Sequence, residues 1–229
     1  MAQFQGFPPA CLPFLTELAQ HNERPWFNDN KARYETCVRN PALAFIADMG
    51  PPLTRLSPNF LALPRKVGGS LMRVYRDTRF AHDKTPFKTN VGIHFRHESA
   101  KDVHAPGFYV HLEPGNCFLG AGIWRPEGKV VAAIREFIVD NPHAWQQATQ
   151  AKAFRQRWEL IGDALVRPPR GFDAEHPLIE DLKRKDFIAR MSFADDAIES
   201  PRFTAFVARR FKDAVPLVSY LCMALELEF

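Results

Sequence analysis

Cysteine is scarce in this chain and nowhere clustered: Cys11, Cys37, Cys117 and Cys222 are the only four in 229 residues, far apart and with no Cys-x-x-Cys spacing. That pattern excludes a disulfide framework and predicts reduced thiols in apolar surroundings. Long apolar runs are missing too. No stretch approaches the eighteen or so residues that a spanning helix needs, and residues 1–9 lack a basic segment followed by an apolar one. The chain is therefore expected to be soluble, cytoplasmic and without membrane contact. Net charge is small, +4 over the whole length, well short of the dense basic surface used for non-specific nucleic-acid binding. Any basic function has to be local. Gly68, Gly69 and Ser70 lack the Gly-Lys-Ser/Thr ending of a phosphate loop, and no Gly-x-Ser-x-Gly elbow occurs.

What is present describes an ordinary globular chain. Apolar residues make up 46% and charged residues 24% of the sequence, and a chain of this length buries roughly 70 to 75% of its unfolded surface around a single core. The first sixty residues carry helical spacing, with Leu12, Leu15, Leu18 and Ala19 on one face and Tyr34, Val38, Phe45, Ile46 and Met49 on another. Pro41 is expected to divide or kink the second stretch, and Pro51 and Pro52 to weaken its end. The period then falls to two. Val91, Ile93 and Phe95 alternate with polar or small residues, as do Phe108, Val110 and Leu112, which predicts half-buried strands. Residues 71–76, 117–124 and 187–193 are further strand candidates, and Glu113-Pro114-Gly115-Asn116 is the turn of a hairpin. Helical spacing returns at Val130, Val131, Ile134, Phe137 and Ile138, a short helix is expected within 176–184, and two closing helices are expected on either side of Pro216. The fold class predicted is α+β: one domain, with a mostly antiparallel sheet covered by N-terminal and C-terminal helices.

Charge concentrates in residues 73–88, where Arg73, Arg76, Arg79, Lys84 and Lys88 face only Asp77 and Asp83, a net +3 of the chain's +4. Guanidinium groups so crowded need carboxylates or an anionic ligand as partners. Two readings follow. In one, Arg73, Arg76, Arg79 and Lys84 bind phosphate or carboxylate groups, with Asp77 and Asp83 setting their rotamers. In the other, the aspartates close a loop-fixing network that binds nothing. The run Arg73, Arg76, Asp77, Arg79, Phe80, Asp83 and Lys84 also resembles the signature Arg-x-x-Arg-Asp-x-Arg-Phe-x-x-x-Asp/Asn-Lys-x-x-Tyr of bacterial proteins grouped as domain of unknown function 2461. Phe87 stands where that pattern has tyrosine. The resemblance extends over nearly the whole chain and implies no activity.

Strand alternation places His94, Arg96, Tyr109, His111 and Glu113 on polar faces. These positions describe either a solvated face of a one-sided sheet or an acid–base site in which His94 or His111 acts with Glu113 orienting it. His94, His97, His104 and His111 match no compact zinc spacing, so no metal and no cofactor is expected. Lys183, Arg184 and Lys185 complement a helix end. Two function classes remain: a binding protein or enzyme for a small anionic ligand, and an interaction module for nucleic acid or protein using the same basic surface.

Overall fold

The stripe of Cys11, Phe14, Leu15 and Leu18 is buried on one face of helix α1 (Cys11–Gln20), the i, i+3, i+4, i+7 pattern of a core-facing helix. The computed structural model describes residues 4–79, 82–99 and 104–229, so Phe80 lies outside the described residues. Helices α2 (Arg24–Asp29) and α3 (Lys31–Tyr34) follow, and a π turn over Glu35–Arg39 leads into α4 (Asn40–Leu56). The widened turn lies just ahead of Pro41, where the missing N–H breaks the regular ladder. Pro51 and Pro52 do not end α4, which runs on to Leu56 with Met49 and Leu53 in the core.

Among the described residues, five strands form one antiparallel sheet in the order β1-β2-β3-β5-β4: β1 (Val91–Arg96), β2 (Gly107–Leu112), β3 (Phe118–Ile123), β4 (Glu159–Ile161) and β5 (Phe187–Ser192). Four of these coincide with strand candidates in the sequence, β1, β2 and β5 with period-two alternation and β3 without it. The fifth, β4, has three residues, too few to leave a periodic signal. Residues 71–76 do not form the continuous strand expected there. They make isolated bridges, Leu71 to Ile93 of β1 and Tyr75 to Phe87 in the segment that leads into β1. Between those bridges one side advances four residues and the other six, so an unbroken ladder is impossible.

Helices α5 (Gly128–Asp140), α6 (Pro142–Gln150) and α7 (Lys152–Arg155) connect β3 to β4, and α8 (Ile179–Leu182) precedes β5. The helix expected within 176–184 is thus confined to a single turn. A second correction concerns the carboxyl end, where one helix, α9 (Phe203–Ala224), takes the place of two. Pro216 is exposed, as is Lys212, whose carbonyl loses its helical partner to the missing N–H. Phe211, Ala214, Leu217, Val218 and Leu221 remain fully buried on the opposite side. α9 lies across the middle of the sheet against β3. Phe211 packs on Phe108 at 4.8 Å and on Phe95 at 6.1 Å, while Phe203 reaches Phe45 of α4 at 5.3 Å. The apolar face of the sheet is thereby covered by helices, and the functional question moves to the other face.

Candidate functional site

The basic segment folds back on itself as an irregular hairpin. Backbone bonds from Arg76 N to Pro86 O and from Lys88 N to Val74 O close its base at 2.9 and 2.7 Å. Within the tip, Arg76 donates to Asp83 and to Thr85. Arg79 grips Asp77 side-on, Nε to Oδ1 at 2.9 Å and Nη2 to Oδ2 at 2.7 Å. Lys84 Nζ donates to Thr78 O at 2.9 Å. The hydrogen bond from Arg79 holds the Asp77 carboxyl at about 2, and that from Arg76 does the same for Asp83. Arg76 thus pairs with Asp83 and Arg79 with Asp77, while Lys84 is held by the Thr78 carbonyl. Arg73 and Lys88 have no ion pair among the described residues. Burial, with the Arg73 charge second, lowers the pKa of Lys88.

The polar face of the sheet carries a second constellation. Because side chains alternate along a strand, Tyr109, His111 and Glu113 emerge on the same side of β2 and its following turn. They form a chain. His111 Nδ1 lies 3.0 Å from the Tyr109 hydroxyl, and His111 Nε2 lies 3.2 Å from Glu113 Oε2. The predicted turn is present, with Asn116 N donating to Glu113 O at 2.9 Å and Gly115 at φ +73°, the left-handed geometry of a Pro-Gly type II turn. That turn also brings Asn116 Nδ2 to Glu113 Oε2 at 2.6 Å, and Arg190 Nη2 of β5 donates to Asn116 Oδ1 at 2.6 Å. Phe118 lies at the centre. The His111 ring stacks on it at 4.4 Å and 15°, and the Arg190 guanidinium lies over it at 4.4 Å.

Protonation states follow from these partners. Glu113 accepts from Asn116, so its oxygen acts as a carboxylate acceptor and His111 donates to it from Nε2. Nδ1 of His111 is then the acceptor, facing the Tyr109 hydroxyl and, at 3.4 Å, Asn90 Nδ2. Burial lowers the His111 pKa, Glu113 partly restores it, and Arg190 lowers it further. Burial and the charge of Glu113 push the Tyr109 hydroxyl well up. The resting set is a phenol, a neutral imidazole and a carboxylate. The His111 side chain is 14% exposed and that of Glu113 32%, so the chain is shielded but reachable from solvent.

Strands β1 and β2 pair as expected, yet His94 stands opposite Tyr109 rather than His111, whose partner is Gly92. Glycines let the rings lie flat: a methyl group at Gly92 would come 2.7 Å from the Tyr109 hydroxyl, and one at Gly107 would come 2.3 Å from His94 Nε2. Burial, assisted by Arg96, pushes the His94 imidazole down to about 4. Of the sheet residues named from sequence, His111 and Glu113 therefore form one site, and His94 packs beside it. Tyr109 was legible as part of a Tyr-x-His-x-Glu alternation. Asn90, Asn116 and Arg190 were not, because they arrive from a loop, a turn and a strand distant in sequence.

Other polar groups have evident duties. His97 Nε2 donates to Glu228 O at 2.8 Å while its Nδ1 accepts from Ser99 N, and Lys183 and Arg184 pair with Glu180 and Asp181. A cleft of about 360 Å³ lined by Glu136, Asp140, Asp173 and His176 lies elsewhere, and none of the residues in the relay borders it. Among the described residues no helix is long and apolar enough to cross a membrane.

A family model described as "Conserved hypothetical protein (DUF2461)" matches residues 10–220. No curated protein and no solved structure matches the chain.

Proposed function

For a chain that belongs to the DUF2461 family, we propose that the polar face of the sheet is a small-molecule site where His111 moves a proton on an anionic ligand. One observation carries this reading: His111 bridges the Tyr109 hydroxyl and the Glu113 carboxylate with its two ring nitrogens. A hydroxyl bonded to a base that is itself oriented by a carboxylate is the arrangement used for general acid–base work. In the forward step the Tyr109 oxygen takes a proton from the ligand as its own proton passes to His111 Nδ1. The imidazolium so formed faces Glu113, which stabilises it, and the reverse transfer resets the site. Arg190, on the same face, supplies the positive charge for an anion.

The roles of the basic hairpin are different in this reading. Its tip is braced by its own carboxylates, and the residues just before it, Ser70 and Met72, bond to the edge of β1. A second reading is favoured by Arg73 and Lys88, which lack counter-ions among the described residues and could contact a polyanion at the hairpin base.

Nitrogen-detected NMR of the histidine rings tests the first reading. His111 is expected as the Nε2–H tautomer, titrating below the ordinary histidine range, and anionic metabolites that raise Tm should shift its signals. His111→Gln should leave the melting curve cooperative and abolish any ligand-dependent proton exchange. An exposed-type His111 titration unaffected by every such metabolite would refute the proposal. Salt-sensitive oligonucleotide binding that leaves His111 unmoved would favour the second reading.

A further inference from the structure

We infer that the ligand of the sheet face is a small carboxylate and that Arg190 holds its anionic end. This rests on the reading of that face as a ligand site and adds the chemical class. Across the sheet, His94, Tyr109, Gly120, Arg190 and Glu159 occupy one row on strands β1, β2, β3, β5 and β4. Gly120 puts no side chain between Tyr109 and Arg190, whose strands are two spacings apart, about 10 Å. The Phe118 ring lies between them, 6.0 Å from the Tyr109 ring and 4.4 Å from the Arg190 guanidinium, a flat apolar floor over which a small molecule with an anion at one end can lie.

Arg190 is equipped for the anionic end and left unfinished by the protein. Among the described residues its guanidinium gives a single hydrogen bond, to Asn116, and no ion pair. Its Nε is buried without a partner. Glu159 is its cross-strand neighbour but is exposed and makes no bridge to it among the described residues. A partly buried guanidinium with idle donors is costly, and an incoming carboxylate relieves that cost. The guanidinium is planar and lies over the Phe118 ring; with Nε buried and Nη2 already giving one hydrogen bond to Asn116, its Nη edge is the side that a planar carboxylate meets end-on. Anion and base are also linked. Arg190 is one of the charges that depress His111, so neutralising it on binding makes His111 a stronger base at the moment the ligand arrives.

The test titrates the intact protein with benzoate, succinate and inorganic phosphate while following the His111 ring signals and their pH dependence. Benzoate or succinate should shift His111 saturably and raise its pKa. Arg190→Gln should weaken that binding at least tenfold, Arg190→Lys less, and Glu159→Gln should tighten it by removing a competing charge. Far-UV circular dichroism and Tm establish that each variant is folded. If carboxylates shift His111 equally in Arg190→Gln, the role of Arg190 is wrong while the sheet-face site stands. If phosphate alone binds through Arg190, the carboxylate class is wrong. If none of the three probes moves His111 in the wild type, both this inference and the site beneath it fall.

Discussion

At the scale of single residues, the protein spends buried polar groups on positions where two elements must meet. Asp186 is the clearest case. It is 5% exposed and accepts Arg125 N at 2.6 Å and Asp163 N at 3.0 Å, tying the end of β3 to the end of β4. Arg125 is held at φ +48° and Gly162 at φ +109°, the latter with no room for a side chain beside Asp186. Hydrogen bonds to a charged group are each worth about 1.5 to 3 kcal/mol. Asp186→Ala is therefore expected to cost roughly 3 kcal/mol or more in urea denaturation. Asp186→Asn, which keeps one acceptor, should cost about half as much. A loss under about 1 kcal/mol for the alanine variant would mean that the two loops are held by something else.

At the scale of elements, the prolines show how burial overrides local preference. Proline inside a helix removes one hydrogen bond and costs about 3 kcal/mol in an exposed peptide context, which is why a sequence reading places a break at Pro216. The break does not occur because the apolar stripe from Phe203 to Leu221 continues in phase through it. At about 1.5 to 3 kcal/mol per fully buried large apolar side chain, holding the second half of α9 on the sheet outweighs the lost bond. Pro216→Ala should accordingly raise stability, by about 1 to 3 kcal/mol, with an unchanged far-UV spectrum. Destabilisation would show that the proline is needed where it is. The basic hairpin divides the two balances: Val74 and Phe87 at its base are buried, whereas the geometry of its tip is set by Arg76 with Asp83 and Arg79 with Asp77.

At the scale of the whole molecule, the one-sided sheet governs the response to pH. His94 is pressed against Gly107 with its pKa lowered to about 4 from a usual 6.5. The folded state thus binds fewer protons than the unfolded chain between these values. The stabilising contribution of neutral His94 is complete above about pH 6.5 and is lost as pH falls toward 4, by at most roughly 3 kcal/mol. His111 is depressed in the same sense. Below that window Asp77 and Asp83, held at about 2, begin to lose their arginine bonds. Urea denaturation at pH 7 and pH 4.5 checks this: His94→Gln should reduce the difference between the two, and an unaltered difference would assign the acid sensitivity elsewhere.

The alternations at Val91, Ile93 and Phe95 and at Phe108, Val110 and Leu112, the Glu113-Pro114-Gly115-Asn116 turn and the helical stripes were sufficient by themselves for an antiparallel α+β fold. These are local signals, carried by the repeat of apolar residues and by backbone stereochemistry. The charge excess of residues 73–88 was equally plain, but not its partners, since sequence counts charges and does not measure distances. Only the tertiary structure decided that Arg190 of β5 sits on Phe118 of β3 beside Asn116 and completes the Tyr109, His111 and Glu113 chain. Those contacts join segments more than seventy residues apart, and strand order, which sets them, follows from how the whole core packs rather than from any stretch of sequence.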